Sequence, residues 1–366
     1  MLQTLIFIAV FAGLVLIHEF GHFLAARLLK VEVEEFGVGL PPRALKLFRW
    51  KETDFTLNWL PLGGFVRPKG ENDPNIPGGL AASSPWVRLG VLFAGPLMNL
   101  LAGVLVNSML FMQVGIPDME QVMLYEVVAD SPAAQAGLQA NDFILAVDGE
   151  PVSGEEQFRA LIRAHLDQPM RITVQRGEKR LEVTAVPLGS RTAEQGSLGI
   201  LPGPPLVPAA SFFQTIPYGA TYTYNQVIQI LSFPAKMLRG SLSPEEGRFV
   251  GLKGIYDLFG QAVSRDVESR EQAAAAPPGA APVVPTNFTL QIIASLTLTL
   301  GIFNLLPFPA LDGGRIIFVL PELILRRRVP HEFENWVHAA GFAFLLLFML
   351  YINAMDFINP IQIDLP

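Results

Sequence analysis

From Leu2 to Ala26 the chain carries one formal charge, Glu19, in an otherwise apolar stretch. About 20 consecutive apolar residues cross a bilayer core as a helix, so the segment reads as a membrane span. It lacks a basic leading region and is too long for a cleavable signal, which makes it a retained span. An ionisable side chain at membrane depth costs a few kcal/mol or more and needs a compensating partner. Glu19 stands within His18-Glu19-Phe20-Gly21-His22, where two imidazoles four residues apart share one helix face. H-E-x-x-H at this spacing holds zinc with both imidazoles and sets the carboxylate beside the water that the metal activates. In soluble helices the pattern arises by chance. In an uncharged span every polar group must be compensated, so the metal reading is favoured once a third ligand is found.

The chain has no cysteine and only five histidines, so that ligand must be an imidazole or a carboxylate. His331 and His338 lack zinc spacing, follow the basic triplet Arg326-Arg327-Arg328, and are read as interfacial. His165 is read as a surface residue of a soluble region. The stronger candidate is Asp312 in Asn304-Leu305-Leu306-Pro307-Phe308-Pro309-Ala310-Leu311-Asp312-Gly313-Gly314. Two prolines and two glycines break the helix there, and irregular backbone at membrane depth is tolerated where it is buried in protein or lines a wet cavity. The structural alternative is that Asp312 lies beyond the span and caps the next helix.

At 51% hydrophobic and 16% charged residues, the chain is far from the roughly one-quarter charged composition of soluble proteins. A polytopic membrane protein with a soluble part follows. The net charge of −7 argues against nucleic acid as a partner. We expect an α-helical membrane protein of about four transmembrane helices. It would carry a cytoplasmic-side, membrane-associated β-hairpin region and one extracytoplasmic PDZ-like α+β domain.

Along the chain, residues 1–30 form the first span, and 31–85 a β-rich loop whose open strand edge could pair with an extended peptide. Residues 86–115 form a second span with Gly95-Pro96-Leu97-Met98-Asn99. Asn99 either hydrogen-bonds a neighbouring helix or takes part in substrate binding. From 116 to 200, strand, Ser-Pro-Ala helix, Asn141-Asp142-led strand, helix and hairpin resemble a PDZ domain, a fold that binds peptides or C-termini by strand addition. Asn141, where glycine is usual, tolerates left-handed backbone angles. Residues 201–287 are expected to hold an interfacial helix at 212–238 and an Ala/Pro-rich linker. Residues 288–328 carry the third span, and 329–366 the fourth with a C-terminal tail. Basic residues in the loop before Arg88 and in the triplet make those regions cytoplasmic. The PDZ-like domain is then outside, and the metal site lies in the membrane nearer the cytoplasm.

With these motifs placed, the chain resembles the site-2 protease family, the M50-type intramembrane zinc metalloproteases. The likeness is to the bacterial branch with a single PDZ domain, typified by the regulator of sigma-E protease. H-E-x-x-H, G-P-x-x-N, the PDZ-like region and N-x-x-P-x-P-x-L-D-G occur in matching order. The resemblance implies Zn2+ ligated by His18, His22 and Asp312, Glu19 as the catalytic residue, and Asn304 holding substrate. It implies cleavage within single-span membrane proteins, such as anti-sigma factors or signal-peptide remnants, by a multi-pass enzyme of the bacterial plasma membrane. A non-catalytic membrane-embedded PDZ receptor and a metal transporter are the alternatives. The latter is disfavoured because Thr4 to Leu14 supplies no ionisable group for a path across.

Overall fold

A computed structural model describes residues 2–190, 196–241, 248–275 and 286–360. It comprises two units, Met1–Leu110 with Thr215–Pro366, and Phe111–Gln214. In the first, α1 (Leu2–Leu28) is apolar on every side, and Leu5, Ile6, Phe20 and Leu24 face outward. A helix with no polar face is stable only where its surroundings are apolar too. Next comes a ribbon of two long strands, β1 (Val33–Trp50) and β2 (Thr53–Pro68), that folds back on itself. Residues 35–38 pair with 54–57 and also with 64–67, leaving 64–68 as an edge laid along α1. Phe23 of α1, Phe36 and Phe55 of the ribbon and Val91 of α2 (Pro85–Val114) share one core. Each phenylalanine buried there contributes about 1.5–3 kcal/mol relative to exposure. Gly21 lets α1 approach α2 closely, since a Cβ there would meet Met98 Cβ at 2.9 Å and run into the Ala94 carbonyl.

The second unit contains β3 (Ile116–Pro117), β4 (Val122–Val127), α3 (Pro132–Gln135), β5 (Phe143–Val147), β6 (Glu150–Pro151), α4 (Glu155–Ala164), β7 (Met170–Arg176), β8 (Lys179–Ala185), β9 (Ile200–Gly203) and β10 (Leu206–Val207). Its main sheet runs β8-β7-β5-β4-β9, with β9 at one edge and β6 paired to β5. Leu124, Ile144, Phe158, Ile172 and Val174 form its core. Ser131 caps α3 by accepting from the Ala134 amide at 3.1 Å. Asn141 takes the left-handed conformation (φ 69°) that its sequence position calls for. Beyond it, fully buried Asp142 is held bidentately by Arg176 at 2.7 Å.

The chain then returns to the first unit. The helix α5 (Phe212–Leu238) contains Pro217 and Pro234 and is not among the four described helices long and apolar enough to cross a membrane. Its Thr223 and Gln226 accept from Asn107 of α2 at 2.8 and 2.9 Å, and Gly219 abuts Ser108. These contacts engage the Asn107 amide nitrogen of the second span.

The region expected to be linker instead contains α6 (Leu252–Ala275), which buries Phe259, Ala262 and Asp266. Its helical spacing, Leu252, Ile255, Phe259, Ala262, is diluted by Arg, Glu and Ser on the other face, which is why composition alone suggested a linker. Ala276 and the prolines after it, also assigned to that linker, lie outside the described residues.

Asp266 accepts from the Phe288 and Thr289 amides at 2.8 and 2.9 Å, capping α7 (Phe288–Leu305). Asp356 of α9 (His331–Ile358) does the same for α6 through the Gly251 and Gly254 amides. Both carboxylates sit at the positive ends of helices. The expected third span is therefore two helices, α7 and α8 (Asp312–Leu325), separated at 306–311. Gly313 and Gly314 press against the carbonyls of Leu305, Leu306 and Phe308, where no Cβ would fit. The candidate spans are Gln3–Leu28, Pro85–Val114, Phe288–Leu305 and His331–Ile358. This is a polytopic membrane protein with small sheets.

Candidate metal centre

One turn of α1 aims His18 and His22 at the N-terminus of α8, with their Nε2 atoms 3.1 Å apart. Asp312 Oδ2 lies 3.1 Å from His18 Nε2 and 3.3 Å from His22 Nε2. The helix break ahead of Asp312 lets this carboxylate turn inward. Asp312 is the first residue of α8 but not its cap, a position held by Leu311. Residues 294 apart in sequence are thus gathered, and all three ligand atoms fall within 4.8 Å of one another.

Each imidazole is oriented by α2. The turn ahead of Pro96 offers the Val91 carbonyl, which accepts from His22 Nδ1 at 2.8 Å. That bond places the His22 proton on Nδ1 and leaves the Nε2 lone pair facing the triplet. On the other ring, His18 Nδ1 is 3.2 Å from the amide nitrogen of Asn99, which is fully buried. Asn99 is itself seated by α7, where a Cβ on Gly301 would come within 3.1 Å of the Asn99 Cβ and Thr297 donates to the Asn99 backbone carbonyl at 3.3 Å.

Gly95 completes the fit, because a Cβ at that position would run into the His22 ring. The Gly95→Ala change is therefore expected to push the imidazole off its Val91 partner and to weaken the protein's affinity for an added divalent metal about tenfold or more. Competition with a chelator measures this, with the helical circular dichroism signal retained. Unaltered metal affinity would contradict the packing argument.

Glu19 points to the ribbon, where its Oε2 accepts from the Val66 amide at 3.0 Å. This backbone donor on the open edge of 64–68 has no signature in the residue order. His338, read from the sequence as interfacial, accepts from the Ala310 amide through Nδ1 at 2.8 Å. It holds the loop in which Ala310 adopts φ 77°, two residues before Asp312. Ligand spacing marks a histidine that binds metal, whereas a histidine that supports a loop has no such spacing. Asn304 donates to the Leu300 carbonyl of its own helix at 3.0 Å and is not hydrogen-bonded to the triplet. His165 hydrogen-bonds Leu161 at the end of α4 and lies 3.0 Å from Asp148.

Apolar spanning helices closing around two imidazoles and a carboxylate define a membrane protein with a site suited to a divalent metal. Comparison with known proteins gives the family. The model of peptidase family M50 matches residues 6–348. A provisionally named zinc metalloprotease of Clostridium perfringens is 32% identical over 96% of this chain and 97% of its own length. The zinc metalloprotease RasP of Oceanobacillus iheyensis is 27% identical over 97% and 99%. The regulator of sigma-W protease RasP of Bacillus subtilis is 26% identical over 96% and 97%. The chain belongs to peptidase family M50, the site-2 proteases, and is an intramembrane zinc metalloprotease.

Proposed function

We propose that His18, His22 and Asp312 hold the zinc, that Glu19 is the general base, and that substrates are single-span membrane proteins cut within their spans. The observation that carries this reading is the convergence of three ligand atoms from α1 and α8 at 3.1–3.3 Å. With metal–ligand bonds of about 2.0–2.1 Å, the edge of a tetrahedron is about 3.3–3.4 Å, close to those separations. A zinc ion held there supplies Lewis-acid polarisation of the attacking water and of the scissile carbonyl. Glu19 takes the water's proton and returns it to the departing amine, while the Val66 amide fixes the carboxylate's direction.

Asn99 is assigned to the metal site as a positioning residue. A ligating His18 Nε2 requires the proton on Nδ1, and that proton needs an acceptor. Asn99 Oδ1 is buried without a hydrogen-bond partner. A half-turn of the side-chain amide, which exchanges its oxygen and nitrogen, brings Oδ1 to the His18 N–H. Asn99→Ala should lower zinc affinity by about 10–100-fold. Asn304→Ala should leave zinc affinity unchanged and raise KM, in line with a role in holding substrate. Equal zinc affinity in Asn99→Ala and the unaltered protein would remove Asn99 from the site.

A helical substrate hides its scissile bonds, so it must unwind locally. The edge 64–68, in contact with Glu19 through Val66, would take the unwound segment as an added strand. In the second unit we read the sheet as a PDZ-like domain, placed extracytoplasmically by the positive-inside rule. A groove of about 480 Å³ between α4 and the edge strand β9, lined by Arg159, Ile162, Arg163 and Leu198, suits an extended peptide or C-terminus. The active site would lie in the plasma membrane on the cytoplasmic side. Mass spectrometry of tagged single-span peptides incubated with the purified protein tests the whole reading. Cleavage inside the span, lost with chelator and restored by zinc, is the expected result. Peptides left intact by the zinc-loaded protein would sink it.

A further inference from the structure

The helix that delivers Asp312 has two unlike faces. Ile317, Leu320 and Ile324 of α8 are apolar and 40–76% exposed. Contacts with such a face do not fix a helix along its own axis. On the opposite face stand Arg315 and Glu322, seven residues and two turns apart. Arg315 pairs with Glu71 in the loop after β2, and Glu322 pairs with Arg88 at the start of α2. Just beyond the helix, Arg328 donates to the Ala81 carbonyl at 2.7 Å. Ion pairs inside a fold form in one register only, so this polar face sets where α8 stops.

The pair nearest the triplet connects two parts of the site. Glu71 lies five residues past Val66, whose amide holds Glu19. Backbone bonds fasten the chain around it. The Lys69 amide donates to the Glu32 carbonyl at 2.8 Å, and the Leu80 and Ala81 amides donate to the Lys69 and Gly70 carbonyls at 2.8 and 3.1 Å. Glu71 is therefore held to the edge 64–68. Arg315, in turn, is one turn from Asp312 on the same helix. Their side chains are 29% and 28% exposed, which shields the pair from the solvent that makes open surface pairs nearly worthless.

We infer that Arg315 and Glu71 are positioning residues for the hydrolysis. Their pairing holds α8 in the register that brings Asp312 to the two imidazoles, and it fixes that helix relative to the edge from which Val66 aims Glu19. The inference rests on the roles proposed above for Asp312 and Glu19. A field effect and a mechanical link predict different results. Arg315 is a cation one turn from a metal ligand, so by charge alone its loss would tighten binding of a divalent cation, whereas loss of Glu71 would loosen it. Loss of a link loosens binding in both cases.

The test uses the full-length protein in detergent as Arg315→Gln, Glu71→Gln, the double variant and Asp312→Ala. Zinc affinity is read by competition with a chelator, and kcat and KM by cleavage of a tagged single-span peptide. Each single variant should bind zinc about tenfold more weakly and lose about tenfold in kcat, the lower end of what a supporting residue contributes. KM should stay within about twofold, since the edge itself is intact. The double variant should match the singles, because a shared link is lost only once. Opposite changes of zinc affinity in the two singles would reduce the pair to its field and overturn the inference. Additive losses in the double variant would overturn it too, and so would recovery there, which would make an unpaired charge the cause. Unchanged affinity in both singles beside a clear loss in Asp312→Ala would overturn the inference and leave the ligand assignment standing. Zinc retained by Asp312→Ala would remove that assignment, and the inference with it.

Discussion

Glutamine at position 19 is expected to leave zinc content unchanged and to slow cleavage by about 10²–10⁴-fold, the usual contribution of a positioned general base. The substitution keeps the size of the side chain and its acceptor for the Val66 amide, so the local geometry survives. What it removes is the ability to take a proton. Neither His18 nor His22 replaces that function, since in the proposed site the Nε2 lone pairs of both rings are engaged. Zinc analysis beside a peptide-cleavage assay decides the matter. Turnover equal to that of the unaltered protein would exclude Glu19 as the base, and loss of zinc would show that it acts as a ligand.

The second large effect is expected at His22. Phenylalanine has a ring of similar size, and Gly95 leaves room for one, so the helices should still pack. The variant loses both the Nε2 lone pair facing Asp312 and the Nδ1 donor to Val91. Zinc affinity should fall by more than the roughly 100-fold that loss of a supporting residue costs, with cleavage disappearing alongside it. Taken together, the two variants separate metal binding from proton transfer: one keeps the metal without the reaction, the other keeps neither. A His22→Phe protein that retains stoichiometric zinc would place the ion elsewhere.

Charge within apolar sequence explains how much of this site is legible in the order of residues. His18, Glu19 and His22 stand out because a span has so few polar residues, and Asp312 because prolines and glycines interrupt helix around it. The supporting groups have no comparable signal. The Val91 carbonyl and the Val66 amide are backbone atoms that every residue possesses. Asn99 was open to two readings; the fold places it against His18, reached through a helix–helix contact at Gly301. The charged neighbours of His338 give no hint that its ring accepts from the Ala310 amide. The helix α6 was hidden by an average over a charged face and a buried one.

The sequence by itself determined which segments avoid water and which side chains within them require a partner. Both follow from solvation, and solvation costs are local and nearly additive along the chain. Only the tertiary structure decided who those partners are. Bringing Asp312 across 294 residues to His18 depends on close helix contacts at Gly21, Gly95 and Gly301 and on the break before α8. Such contacts arise from packing between distant segments, and no stretch of sequence read by itself contains them.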